Sequence, residues 1–92
     1  MGDEARVQEM VKEIAKLFQE AYQVLMRAKC RTTAMASFNS AMTLLEELER
    51  HPDPEVASAA KKSHAAGREA VGKDKSLHTK LRVYAELWSQ AG

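Results

Sequence analysis

Residues 27–39 read RAKCRTTAMASFN. The fold turns on whether one helix runs through this stretch or the chain reverses in it. No Gly or Pro interrupts it. A heptad seam can be drawn from Val7 to Leu45, with Arg31 its only charged residue. A continuous helix of about 45 residues would be about 70 Å long. It would have no equal partner within the 92-residue chain and would need a second copy.

The residues flanking the seam favour a reversal. Before the stretch, Val11, Phe18 and Leu25 widen the apolar face on one side. After it, Ala34, Ala41 and Leu48 widen the face on the other side. At 100° per residue the two faces would point about 140° apart on one straight helix. A turn within 28–33 removes the conflict, and Thr32 or Thr33 is the expected cap of the second helix.

Working outward, the helical period predicts four segments. Residues 4–28 carry Val7, Met10, Val11, Ile14, Leu17, Phe18 and Ala21 at steps of three and four, with Glu and Lys opposite. Residues 33–50 carry Ala34, Phe38, Ala41, Leu45 and Leu48. The sequence HPDPE at 51–55 stops that helix and starts another, with Asp53 as cap and Pro54 in the first turn. Residues 54–71 present a face of small residues: Val56, Ala59, Ala60, Ser63, Gly67 and Ala70. GKDKS at 72–76 is a loop whose Ser76 caps a fourth helix over 76–90. The expected fold is therefore all-α, an antiparallel bundle of three to four helices in a single domain, residues 1–92.

Composition bounds the rest. An apolar fraction of 45% with 29% charged residues describes a globular chain. Cys30 is the single cysteine, so no internal disulfide can form, which favours a reducing, cytoplasmic setting. No apolar run has the length of a membrane span, and no membrane partner is expected. Net charge is only +1, but it is uneven. Lys61, Lys62, Arg68, Lys73, Lys75, Lys80 and Arg82 face only Glu69 and Asp74 across 61–82. Such asymmetry steers partners or subunits, or is simply the solvated side of two helices.

The spacing Ala34-x-x-x-Phe38-x-x-Ala41 resembles the second helix of a tetratricopeptide hairpin and of the related microtubule-interacting-and-trafficking three-helix domains. The first-helix pattern of those hairpins would fall on Phe18, Ala21, Tyr22 and Leu25. Tyr22 departs from it where a small residue is usual, and Pro52 comes several residues late. The resemblance covers one hairpin, about a third of the chain, and implies groove binding of a peptide or helix. The regular Glu/Lys surface of the first 26 residues fits an engineered helical scaffold as well as a natural one.

Signals for chemistry are weak. His51, His64 and His78 have no metal-ligand spacing, and no metal is expected. SHAAGREA at 63–70 resembles a phosphotransfer histidine segment but lacks the Lys-Gly that follows the histidine there. Cys30 lies among Arg27, Lys29 and Arg31, which favour a thiolate, with no histidine or carboxylate nearby to complete a nucleophilic site. The acids Glu46, Glu47, Glu49, Asp53 and Glu55 lack calcium-loop spacing. No enzyme, catalytic residue or cofactor is expected.

In the last helix Tyr84, Trp88 and Ala91 have the i, i+4, i+7 spacing of anchors that enter a partner's groove, with Leu87 at the edge of that face. The competing reading is core packing, since the chain has few other large residues. The expected function is a non-catalytic helical module that binds a protein partner or itself. Its candidate contact residues are Tyr84, Leu87 and Trp88, with Lys61, Lys62, Arg68, Lys73, Lys75 and Lys80 around them. The alternative is binding of nucleic acid or an acidic partner through 61–82, which would weaken steeply with salt.

Overall fold

The computed structural model describes residues 2–91, with side chains over 4–90. The chain reverses inside RAKCRTTAMASFN. Helix α1 (Gly2–Gln23) passes into one π-helical turn, Val24–Ala28. Lys29 then takes a left-handed conformation (φ 52°, ψ 30°), Cys30 follows at φ −91° and ψ 89°, and α2 (Arg31–Glu49) begins. The turn falls where the change of apolar face requires it. The cap does not: α2 starts before Thr32 and Thr33, and its N-cap is Cys30, which makes no capping bond with its side chain.

The other reversals follow their sequence signals closely. Helix α3 (Pro54–Val71) opens with Asp53 accepting from the Glu55 N–H at 2.9 Å. His51 Nδ1 accepts from the Asp53 N–H at 3.0 Å, which fixes the loop ahead of that cap. Gly72, at φ 64°, ends α3 and donates its N–H to the Arg68 carbonyl. Helix α4 (Leu77–Ala91) is capped by Ser76, whose hydroxyl accepts from the Thr79 N–H.

The helices pack in a ring, α1 on α2, α2 on α3, α3 on α4 and α4 on α1, so α1 and α3 lie across the diagonal. The bundle measures 40 × 26 × 19 Å, well short of the length of a continuous 45-residue helix. Among the described residues there is no strand, and no helix is long and apolar enough to cross a membrane.

The core is built from small residues that bring backbones together and large ones that fill the centre. Ala21, Ala34 and Ala41 are fully buried along α1 and α2. Ile14, Phe18, Leu45 and Leu81 fill the middle. Phe18 stacks on Tyr84 with ring centres 5.2 Å apart and lies 5.9 Å from the half-buried Phe38. Gly67 admits the Tyr84 ring: a Cβ there would lie 2.8 Å from Tyr84 Cζ and 2.9 Å from Cδ1, closer than real contacts allow. The inward face of α3 is Ala60, Gly67 and Val71, whereas Ala59 and Ala70 are exposed. Packing mainly on α2 and α4, α3 needs a narrower stripe than its small residues suggested.

Candidate functional site

Because α1 and α3 lie across the diagonal of the bundle, a gap opens between them at the end where α2 passes into α3. It has a volume of about 430 Å³. Its apolar lining comes from Val7, Val11, Leu48, Val56, Ala59, Ala60 and Trp88, one to three residues from each helix. Its polar lining is Glu4, Gln8, His51, Asp53, Glu55 and Ser63. Three carboxylates against one histidine make it an acidic groove over an apolar floor. Glu46 and Glu47 are exposed in the last turn of α2 at the same end.

Trp88 is 3% exposed, and its indole N–H has no hydrogen-bond partner. An unpaired buried donor costs about 1–3 kcal/mol, so this part of the floor is held by packing alone.

The structure separates the three aromatic-helix candidates. Tyr84 is 4% exposed and serves the core, between Phe18 and Gly67 and edge-on to His64 at 6.2 Å. Burial pushes its phenol pKa up. Leu87 is half-buried against the core. Trp88 is buried too, but it lines the groove. They therefore form no exposed row of anchors. With alanines and a glycine at so many helix contacts, the bundle uses its few large side chains as filling.

The six candidate cations are spread over two helices and the loop between them. Lys61, Lys62 and Arg68 are exposed along α3, Lys73 and Lys75 lie in the loop after it, and Lys80 is half-buried on α4. The loop pair lies at the same end of the bundle as the reversal at 27–31. A hollow of about 390 Å³ there is lined by Leu25, Met26, Lys29, Arg31, Ser76, Leu77 and His78. Arg27, Lys29 and Arg31 thus join the basic set, although sequence reasoning read them only as neighbours of Cys30. The signal was the density of cations in RAKCR. What gave it a partner was topology, which brings two loops about 45 residues apart to one end.

The remaining chemistry-bearing groups have structural partners. His64 Nδ1 lies 3.2 Å from Glu49 Oε1 and ties α3 to α2 in a half-buried contact. The His78 ring lies 5.6 Å from that of Tyr22. Cys30 Sγ lies 3.0 Å from the Thr33 hydroxyl, and hydrogen bonding by Thr33 lowers its pKa. Asp74 accepts from the Thr79 hydroxyl at 2.6 Å and the Ser76 N–H at 2.9 Å, which lowers its carboxyl pKa to about 2. Among the described residues no three His, Cys, Asp or Glu side chains are grouped to hold a metal ion. No family model matches the chain, and no curated protein or solved structure matches it either.

Proposed function

We propose that this chain is a non-catalytic helical interaction module whose α1/α3 groove takes an apolar-faced, basic segment of a partner protein. The observation that carries the reading is the groove itself: an apolar floor beneath Glu4, Asp53 and Glu55. A helix with apolar residues on one side and Lys or Arg at its margins satisfies both features. Its length runs along α1 and α3, which lie across the diagonal of the bundle. The likeness of the α1–α2 hairpin to tetratricopeptide and microtubule-interacting-and-trafficking hairpins supports the same mode of binding. A cytoplasmic setting belongs to the proposal and rests on Cys30 having no internal disulfide partner.

Trp88 provides the test, because it is the single tryptophan and lines the groove. Titration with a synthetic amphipathic helix bearing Leu on one face and Lys at its edges is expected to shift Trp88 emission and saturate. Ala59→Arg, an exposed substitution in the groove lining, should abolish the shift while circular dichroism stays helical. Unchanged emission with the wild-type chain at low and moderate salt would refute the reading. Light scattering across a concentration range distinguishes self-association, which would raise the mass above 10.2 kDa without added peptide.

A further inference from the structure

We propose that the opposite end of the bundle is a second docking surface, selective for an acidic protein segment that carries an apolar side chain. Two chain reversals build it. The first supplies Arg27, Lys29 and Arg31, the second Lys73 and Lys75, and His78 stands at the rim of the hollow between them. Asp74 is the one carboxylate in these two segments, and it is engaged by Ser76 and Thr79 in capping α4. Five formal cations therefore face solvent with little opposing charge.

The hollow adds what a bare charge patch lacks. Leu25, Met26 and Leu77 line it beneath Lys29 and Arg31. Met26 is 48% exposed, the most exposed large hydrophobic side chain among the described residues. A flexible thioether chain in an open hollow adapts to varied apolar partners. Polyanions such as nucleic acid would use the cations and leave this floor unused. Among the described residues no exposed Phe, Tyr or Trp stands beside it for base stacking, since Tyr22 is half-buried against His78.

The start of α2 points the same way. Arg31 occupies the first helical position, where the helix dipole disfavours a cation. No acid lies in that first turn, and Cys30 provides no side-chain cap. Lys29 holds a left-handed conformation that glycine adopts more readily. Cations therefore stand at two positions where local stability would favour other residues, and both line the hollow. By contrast α4, starting at the same end, is capped by Ser76 with Asp74 and Thr79.

Fluorescence anisotropy tests the proposal with a labelled synthetic peptide of Glu and Asp around one Leu and one Phe. A twin with Ser in place of Leu and Phe is the control. The intact peptide should bind at low salt, and the twin about tenfold more weakly, because it lacks the apolar anchors. Lys29→Glu with Arg31→Glu should also weaken binding at least about tenfold. Both sites are exposed, and circular dichroism verifies that the variant stays folded. Equal binding of the two peptides, or of a single-stranded oligonucleotide of the same charge, would overturn the selectivity. Undiminished binding by the variant would overturn the location. A rise in mass at low salt that Glu46→Lys with Glu47→Lys cancels would assign the surface to a second copy and overturn the external partner. None of these outcomes depends on the α1/α3 groove, which has its own peptide and its own variant.

Discussion

The reversal HPDPE and the reversal RAKCR solve the same problem by different means. At 51–55 the chain is held by His51 accepting from Asp53, by Asp53 capping α3, and by Pro54 set at its first turn. At 27–31 a π-helical turn leads to a left-handed lysine and an uncapped α2 whose first residue is Arg31. The first is finished by short acidic and cyclic residues that satisfy the backbone. The second keeps long cations where the backbone gains nothing from them. Local stability and surface charge agree at one reversal and oppose each other at the other, and the surface around the second is the one whose residues ask for another explanation.

The sharpest contrast lies in the large side chains beside each reversal. Trp88→Ala should cost about 3–5 kcal/mol in urea unfolding, as for other buried aromatics. Met26→Ser should change stability by no more than about 0.5 kcal/mol, as expected of an exposed site. Similar losses at both would erase the distinction between a groove with a packed floor and an open hollow. Trp88→Phe should cost far less than Trp88→Ala, since it keeps most of the filling and removes the unpaired N–H.

Gly67 lies between the two ends and probes the core they share. Gly67→Ala should destabilise by about 1–3 kcal/mol through overpacking against Tyr84, despite the gain in helix propensity. The melting temperature reads the effect, and a neutral result would mean that the Tyr84 ring can move aside.

At the reversals themselves the signs should differ. Asp53→Ala should lose about 1 kcal/mol with its cap. Lys29→Gly should gain up to about 1 kcal/mol by relieving the left-handed conformation. Arg31→Glu should gain about 0.3–1 kcal/mol from the helix dipole. Chemical denaturation of the three variants checks the set, and destabilisation by both substitutions at 29 and 31 would break the comparison.

The smallest effect concerns pH. Asp74 has its folded pKa lowered to about 2 from 3.8, so its contribution is present above 3.8 and is lost as pH falls through about 2. Amide exchange in the first turn of α4 should therefore accelerate across that window, and Asp74→Asn should flatten the response.

How far these features could be read in advance depended on whether their causes were local. Asp53-Pro54 and Ser76 marked the starts of α3 and α4 because a cap acts on the next three residues. The reversal at 28–33 was legible only through the change of apolar face, since its left-handed residue is a lysine and no glycine announces it. The cap of α2 falls ahead of both threonines, ordinary caps by type, on Cys30, whose side chain makes no capping bond. The groove depends on α1 and α3 meeting only across a diagonal, and the hollow on two distant loops converging. Neither arrangement leaves a trace in any short window of residues.

The 40 Å length of the bundle carries a kinetic consequence. In physiological salt the field of a charge decays over about 8 Å, so opposite charges at opposite ends scarcely feel each other. An incoming basic segment and an incoming acidic one would each be oriented by the nearer end alone. Their association rates would then be independent and separately sensitive to salt. In very dilute salt the same molecule would behave as one long electric dipole, turning a charged visitor end-on before contact.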